Sequence, residues 1–224
     1  DPIVSNTTTD SLGRNSYESI NLYDKKTSNF YGNAYYGKKI TALEMNIGFQ
    51  GSFSGNTYYN FVNEELNKTK SYNVSGGINL QKNKEKKYSI YVSWNPNYTS
   101  SNSSLPSPDN SGWGYTAYGT FNVFLPGKIE IGTNGSYQYT AATDAFDDDF
   151  KRFLWNASLT KKFLKDETLS LSLSGKDLLN QNKGFSRYPY ENRITQTNYT
   201  TIKRYFMLSL IWDFNKMGGA ATKK

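Results

Sequence analysis

The chain has 224 residues, 36% of them hydrophobic, and a formal net charge of +7, which suits one domain of ordinary size. It contains no cysteine and no histidine, so disulfide bonds, thiolate or imidazole metal sites and histidine-assisted nucleophiles are excluded. We therefore expect no enzyme. No apolar run approaches the about 18 residues of a membrane helix, and the opening Asp1-Pro2-Ile3-Val4 has no leader character, which predicts a mature chain or a fragment.

The positive charge does not indicate nucleic-acid binding. The lysines fall mostly in predicted turns, for example Lys38-Lys39 and those from Lys82 to Lys87, and they form no helix face or compact stripe of the kind that nucleic acid requires. Basic turns at a membrane edge near anionic lipid are the better interpretation.

A period of two in hydrophobicity runs through the chain and predicts β-strands. At the N-terminal end, residues 10–14 indicate a tight hairpin tip, and the strand that follows has an irregularity near Lys25 or is two short strands. Leu169, Leu171 and Leu173 alternate with serines near the other end. The predicted strands are 16–36, 40–54, 69–81, 87–98, 113–125, 129–141, 151–163, 168–175 and 199–215.

The links between these strands alternate in length. Short links are predicted at 37–39, 82–86, 126–128 and 164–167, and long links at 56–68, 99–111, 142–149 and 176–198. Membrane barrels of the outer membrane have short periplasmic turns and long extracellular loops. Most predicted strands also have the about 9 to 11 residues that a tilted transmembrane strand needs, whereas strands of soluble proteins average about 5 or 6.

The composition of the two faces favours a membrane barrel over a soluble sandwich. The polar face carries mostly Asn, Ser, Gln, Gly and Tyr with few charges, and aromatic residues, 16% of the chain, recur toward strand ends as interface girdles do. We predict an all-β, antiparallel transmembrane β-barrel with about 8–10 strands in this chain. Because the first residues look like the tail of an earlier strand, residues 1–224 are predicted to be the C-terminal portion of a larger barrel.

A family resemblance rests chiefly on the end of the chain. The Leu169 to Asn182 segment, which includes Asp-Leu-Leu-Asn-Gln, together with Arg187, the Arg204-Tyr-Phe strand and Phe214-Asn215-Lys216, resembles the C-terminus of TonB-dependent receptors of the Bacteroidetes type. Segments 10–14, 66–68, 155–158 and 161–164 also look like that family.

The resemblance implies a barrel of about 22 strands around a plug in the outer membrane of a Gram-negative bacterium. Its partners would be outer-membrane lipid and lipopolysaccharide, an N-terminal plug with the remaining strands, a TonB-type energy transducer and, in some members, a surface lipoprotein. Its function would be uptake of a bulky substrate such as an iron chelate, a glycan or a peptide. Two alternatives stay open: a non-transporting barrel that anchors or scaffolds a larger complex, and a small self-contained porin or adhesin.

Two long links contain candidate binding residues. Arg187, Tyr188, Tyr190 and Arg193 could grip a sugar or peptide at a barrel mouth, although packing of loop against loop explains them more simply. A second set shares an acidic loop and offers the oxygen ligands that Ca²⁺ prefers, although a solvated acidic loop is the favoured interpretation: Asp144, Asp147, Asp148 and Asp149. No other cofactor is expected.

Two smaller signals complete the set. Ser11, within Asp-Ser-Leu, looks like a bacterial O-glycosylation motif of the same phylum, although chance occurrence is the simpler explanation. Glu44, Glu130, Lys203 and Asp213 are predicted to lie on the lumen face, where charges either meet a plug or tune the charge of permeant species.

Overall fold

The computed structural model describes residues 2–107, 109–144, 146–190 and 193–213; for 187–190, 193 and 194 it describes the backbone alone. One 3-10 turn, Thr41–Leu43, is the only helical element in these ranges. The strands are β1 Ile3–Thr9, β2 Asn15–Asn21, β3 Ser28–Ile40, β4 Met45–Val62, β5 Glu65–Lys84, β6 Tyr88–Ser103, β7 Gly112–Leu125, β8 Ile129–Thr140, β9 Phe150–Phe163, β10 Leu169–Lys176, β11 Gly184–Tyr190, β12 Arg193–Tyr199 and β13 Tyr205–Trp212.

Nine strands form one antiparallel meander. From β3 to β10 each strand pairs with the next along the chain, and β13 pairs with β10. The β11–β12 hairpin is a separate two-stranded sheet that interrupts the chain between β10 and β13. The β1–β2 hairpin adds to the far end of β4, where β1 runs parallel to β4. The prediction of an all-β antiparallel fold is confirmed.

The sheet does not close within the described residues. β3 pairs only with β4, and β13 pairs only with β10, so each presents a second edge to the surroundings. An open edge exposes unpaired backbone N–H and C=O groups. Among the described residues no helix is long and apolar enough to cross a membrane.

The alternating apolar and polar residues of the sequence form two chemically different faces of the sheet. Ile131, Leu159, Leu173 and Leu208 form one row across β8, β9, β10 and β13. The adjacent row on the other face is polar and includes Thr160, whose hydroxyl lies 2.9 Å from that of Ser172. Because the two faces alternate with a period of two, as they must in any strand, the apolar set is gathered on one side.

The apolar face has no protein layer over it. Leu208 is 69% exposed and Phe206 is 67% exposed, and the hydrophobic side chains that are buried, among those described, are only Val4, Leu22, Phe146 and Phe150. A soluble protein rarely exposes a large contiguous apolar surface. The apolar face therefore requires a nonaqueous neighbour such as lipid.

Aromatic side chains concentrate near both ends of the apolar face. At the long-loop end, the Tyr98 and Trp113 ring centroids are 4.9 Å apart, and those of Tyr115 and Tyr139 are 5.2 Å apart. Tyr88 begins β6 at the short-turn end. A strand tilted about 40° crosses about 2.5 Å of bilayer per residue, so the segment between Tyr88 and Tyr98 spans about 25 Å, the height of an outer-membrane apolar band.

The strand boundaries differ from the predicted ones at several links. The predicted link 37–39 lies inside β3, and the chain turns instead through the 3-10 turn Thr41–Leu43. The predicted long link 56–68 is a continuation of β4 and β5, which meet at Asn63 and Glu64, both with positive φ. The predicted long link 176–198 contains the β11–β12 hairpin.

The first predicted strand, 16–36, is divided between β2 and β3. β2 pairs with β1, whereas β3 pairs with β4, so the chain steps sideways by one strand position between them. The break falls around Lys25, where the sequence indicates an irregularity.

Candidate functional site

The polar face is held together by amide side chains that reach across strands. Gln50 on β4 donates from Nε2 to Asn95 Oδ1 on β6 at 2.7 Å, and so crosses β5. The crossing passes over Gly77, where an added Cβ would lie 2.4 Å from Asn95 Oδ1. Glycine is needed here for close approach of side chains, not for an unusual backbone angle. The result is a smooth, hydrogen-bonded wall.

At the long-loop end of this face, the loop 141–149 and the β11–β12 hairpin meet. Phe150, at the start of β9, stacks on Phe185 of β11 with ring centroids 4.1 Å apart and planes 6° apart. Arg152 donates from Nη2 to Gln138 Oε1 at 2.9 Å and from Nη1 to the Lys183 carbonyl at 3.3 Å. The hairpin base is therefore fastened to β8 and β9, and the two candidate loops form one rim.

The hairpin has a second attachment through the turn after β10. Asp177 is 5% exposed, and its carboxylate accepts the backbone N–H groups of Gln181 at 2.9 Å and Asn182 at 3.0 Å. Asn180 Oδ1 accepts the Arg204 N–H, and Arg204 Nη1 donates to the Leu178 carbonyl. We call residues 177–182 the Asp177 turn. It connects the end of β10 to the entry of β13.

The acidic loop does not gather its carboxylates. Asp149 accepts the Ala142 N–H at 2.8 Å and pairs with Lys151 Nζ at 3.0 Å. The Ala142 hydrogen bond and then Lys151 hold the pKa of the Asp149 carboxyl below its usual value. Within the described ranges, no three His, Cys, Asp or Glu side chains are grouped so that they could hold a metal ion. Calcium binding by Asp144, Asp147, Asp148 and Asp149 stays a prediction.

Asp147, Asp148 and Asp149 do line an open groove. Its volume is about 360 Å³, and Phe146, Phe150, Phe185 and Gln196 complete the lining. Gln196 lies on β12 opposite Arg187 of β11. The acidic loop and the hairpin that carries the predicted substrate-binding residues are therefore neighbours.

Those predicted residues are placed only by their backbones. Tyr188 pairs with Thr195, and Tyr190 pairs with Arg193 at the hairpin end. The side chains of Arg187, Tyr188, Tyr190 and Arg193 lie outside the described part of the chain, so their role in binding stays a prediction.

A recess next to the rim was not predicted from the sequence. We call it the outer recess, and its volume is about 210 Å³. Asn97, Gly114 and Thr140 form one row on the polar faces of β6, β7 and β8. Its lining is Asn97, Thr99, Asn110, Gly112, Trp113, Gly114, Thr140, Ala141, Thr143 and Phe146. The sequence signal that could have indicated it is the pair of glycines, Gly112 and Gly114, on one face of β7.

Ser11 lies in an exposed turn at the tip of the β1–β2 hairpin. Asp10 Oδ1 accepts the Leu12 and Arg14 N–H groups, each at 2.9 Å, and Asp10 Oδ2 pairs with Arg14 at 2.7 Å. The bonds from Arg14 are the main cause of the lowered pKa of Asp10. The Ser11 hydroxyl is accessible there, and its glycosylation stays a prediction.

Of the predicted lumen charges, only Glu130 lies within a strand. Glu44 has φ 48° in the turn before β4, and Lys203 and Asp213 flank β13. Glu130 lines a cavity of about 400 Å³ at the short-turn end, beside Lys128, Lys162 and Glu167. Glu167 accepts from Lys162 at 3.4 Å, so this cavity contains paired charges.

The sequence from residue 6 to residue 212 matches a family model described as the outer membrane protein beta-barrel family. No curated protein and no solved structure matches the chain. The family match covers most of the chain and all nine strands of the meander. It also agrees with an exposed apolar face and with aromatic side chains near both ends of that face. The chain belongs to the outer membrane protein beta-barrel family, and its location is the outer membrane.

Proposed function

We propose that the chain is the C-terminal part of a TonB-dependent transporter that brings a bulky substrate into the periplasm. The observation that carries the proposal is the Asp177 turn. It is the segment on which the sequence resemblance to TonB-dependent receptors chiefly rests, and it binds the other such segment through Arg204, with hydrogen bonds to Asn180 Oδ1 and the Leu178 carbonyl. Both segments thus belong to one structural unit that supports the outer rim.

The open sheet supports a larger barrel. Nine strands form the meander, and its two edge strands, β3 and β13, have unpaired edges within the described residues. Barrels of single bacterial outer-membrane proteins have an even number of strands, and a membrane leaves no open sheet edge exposed to lipid. Further strands from the same protein would satisfy both conditions. A plug would fill the enlarged lumen, as the family resemblance implies.

The chemistry of the polar face favours contact with a passing substrate or with a plug over a purely structural role. Its wall consists of amides, hydroxyls and glycines, such as Gln50, Asn95 and Gly77, and it offers hydrogen-bonding groups without strong charge. The rim formed by the acidic loop and the β11–β12 hairpin stands at the extracellular mouth, because long loops of these barrels face outward. Substrate would meet this rim first.

The proposal is tested with the natural full-length protein. Intact mass of the protein extracted from outer membranes should be several times 25.5 kDa, with a plug sequence before residue 1. Cells that carry it should take up one member of a panel of iron chelates, oligosaccharides and peptides. That uptake should stop when the energy transducer is deleted or the proton-motive force is collapsed.

Two results would contradict the proposal. A mass near 25.5 kDa would leave a small self-contained barrel. A large barrel that co-purifies with surface proteins but takes up no substrate, with or without the energy transducer, would instead support an anchoring or scaffolding role.

A further inference from the structure

We propose that the outer recess is a binding subsite for one uncharged sugar unit of the ligand. This inference deepens the transport proposal and rests on it for the direction of ligand movement, but not for binding itself. It starts from the recess beside the rim, where β6, β7 and β8 end in the loops 104–111 and 141–149.

Two glycines on one face of β7 create the recess. Gly114 lies between Asn97 and Thr140 in the same row, and Gly112 lies opposite Thr99. A Cβ at Gly114 would be 3.0 Å from Asn97 Oδ1, and a Cβ at Gly112 would be 3.0 Å from Thr143 Cγ2. Any side chain would therefore occupy the space. Neither glycine has a positive φ, so the backbone does not itself require glycine here.

The lining is uncharged and rich in groups that both donate and accept hydrogen bonds. Two amides and three hydroxyls face or border the space, from Asn97, Asn110, Thr99, Thr140 and Thr143. Amides and hydroxyls match the hydroxyl groups of a sugar, each of which also donates and accepts. Among the described residues, no charged side chain lines the recess, so an anionic or cationic unit would lose hydration there without a counter-charge.

Only some of the polar side chains that line the recess have hydrogen-bond partners within the protein. Asn110 accepts from the Thr143 hydroxyl at 3.3 Å, and Thr99 accepts from Asn73 at 2.9 Å. Among the described residues, the side chains of Asn97 and Thr140 have no hydrogen-bond partner, and both are half-buried. Both side chains can therefore exchange a hydrogen bond with water for one with a ligand hydroxyl without breaking a bond inside the protein.

The size and the apolar wall agree with a sugar ring. The volume of about 210 Å³ is roughly that of seven water molecules at about 30 Å³ each, which suits one ring with its hydroxyls and is too small for a bulky chelate. Phe146, 9% exposed, forms one wall. Its small exposed part adds apolar surface to the edge of the recess. Phe146 also borders the acidic groove, so a longer chain could continue along the rim.

The experiment measures equilibrium binding to the full-length protein in nanodiscs. The probes are maltohexaose, cellohexaose and hexa-N-acetylchitohexaose, with an oligogalacturonate of equal length as the anionic comparison. We expect at least one neutral probe to bind and the oligogalacturonate to bind at least tenfold more weakly. Thr140→Val removes one hydroxyl at constant shape, and Asn97→Leu removes one amide; each should weaken binding by about tenfold, the effect of about 1.4 kcal/mol.

Matched controls lie lower on the same face of β7. Thr120→Val and Asn122→Leu make the same chemical changes outside the recess and should leave affinity unchanged. Folding of every variant is checked by heat-dependent mobility on gels. Binding of no neutral probe, or equal binding by recess and control variants, would overturn the inference. Sugar binding that depends on Thr140 without any uptake would keep the inference and contradict the transport proposal, whereas uptake of a chelate with no sugar binding would do the reverse.

Discussion

At the scale of single residues, glycine has two different uses on the two faces of β5. Gly76 lies on the apolar face, where the nearest atom to an added Cβ is 4.0 Å away. Gly77 lies on the polar face beneath the Gln50–Asn95 bond, where an added Cβ would be 2.4 Å from Asn95 Oδ1. Gly76 and Gly77 are neighbours in the same strand, so substituting each in turn separates the effect on the backbone from the effect of side-chain crowding.

We predict opposite outcomes for alanine at these positions. Gly77→Ala should destabilise the protein by about 1–2 kcal/mol, because one hydrogen bond between strands is lost and its partners must move. Gly76→Ala should be neutral or stabilising by a few tenths of a kcal/mol, because it restricts the unfolded chain and meets open space. Urea unfolding in lipid vesicles measures both, and equal effects would show that the bridge does not contribute.

The sequence indicated some of these residues and missed others for a physical reason. Alternation separates the faces, because each side chain's face follows from its position alone. It cannot show which amides meet across an intervening strand, since Gln50 and Asn95 are 45 residues apart. Gly37 was interpreted as a turn residue, yet it lies in β3, where an added Cβ would be 3.0 Å from the Tyr35 hydroxyl.

At the scale of elements, the Asp177 turn determines where the β11–β12 hairpin stands. Asp177 and Asn180 have φ of 50° and 57°, a region that Asp and Asn enter more readily than most residues. The buried carboxylate satisfies two backbone N–H groups, and the Asp177 N–H donates to Asn156 Oδ1 on β9 at 2.9 Å. The sequence identified this segment by resemblance, but not its function as the base of the rim.

We predict that Asp177→Ala releases the hairpin. The N–H groups of Gln181 and Asn182 would lose their acceptor, at a cost of about 1 kcal/mol each, and alanine would add strain of about 1–2 kcal/mol at positive φ. Hydrogen exchange in residues 181–199 should become faster, while exchange in β8 stays the same. Asp177→Asn, which keeps one acceptor and tolerates the backbone angle, should have a smaller effect.

The control for this prediction is Asp166→Ala, in the exposed turn at the opposite end of the sheet. It should leave hairpin exchange unchanged. Unchanged exchange in Asp177→Ala would mean that the Phe150–Phe185 stack and Arg152 suffice to hold the hairpin.

The longest stretch of pairing that sequence reasoning missed is the extension of β4 and β5. β4 continues to Val62, and β5 begins at Glu65. Tyr58 and Val62 lie on the face that is otherwise polar, so the period-two signal is lost there although backbone pairing continues. The extension is held by buried amides: Asn67, 2% exposed, donates to Asn60 Oδ1 at 3.0 Å and accepts from the Ser103 hydroxyl at 2.7 Å.

At the scale of the whole molecule, the proposed orientation in the membrane depends on which side of the sheet meets lipid. The apolar face contains the row Ile131, Leu159, Leu173 and Leu208, and it is not covered by protein. Family membership and outer-membrane location agree with lipid on that side and water or a plug on the other. The apolar face does not determine how many strands the complete barrel has; that number depends on the sequence of the full-length protein.

The most direct test is a cysteine scan along β8, because residues 1–224 contain no cysteine and any cysteine elsewhere in the full-length protein is first replaced by serine. Single cysteines from residue 131 to residue 138 are introduced into the full-length protein in outer-membrane vesicles. Each is then treated with a lipid-soluble and a water-soluble maleimide. We predict strict alternation, in which positions such as Asn134 and Gln138 react with the water-soluble reagent, whereas Ile131 and Tyr137 do not, because a thiol that faces hydrocarbon stays protonated. Reaction of both sets with the water-soluble reagent alone would contradict a membrane-spanning sheet.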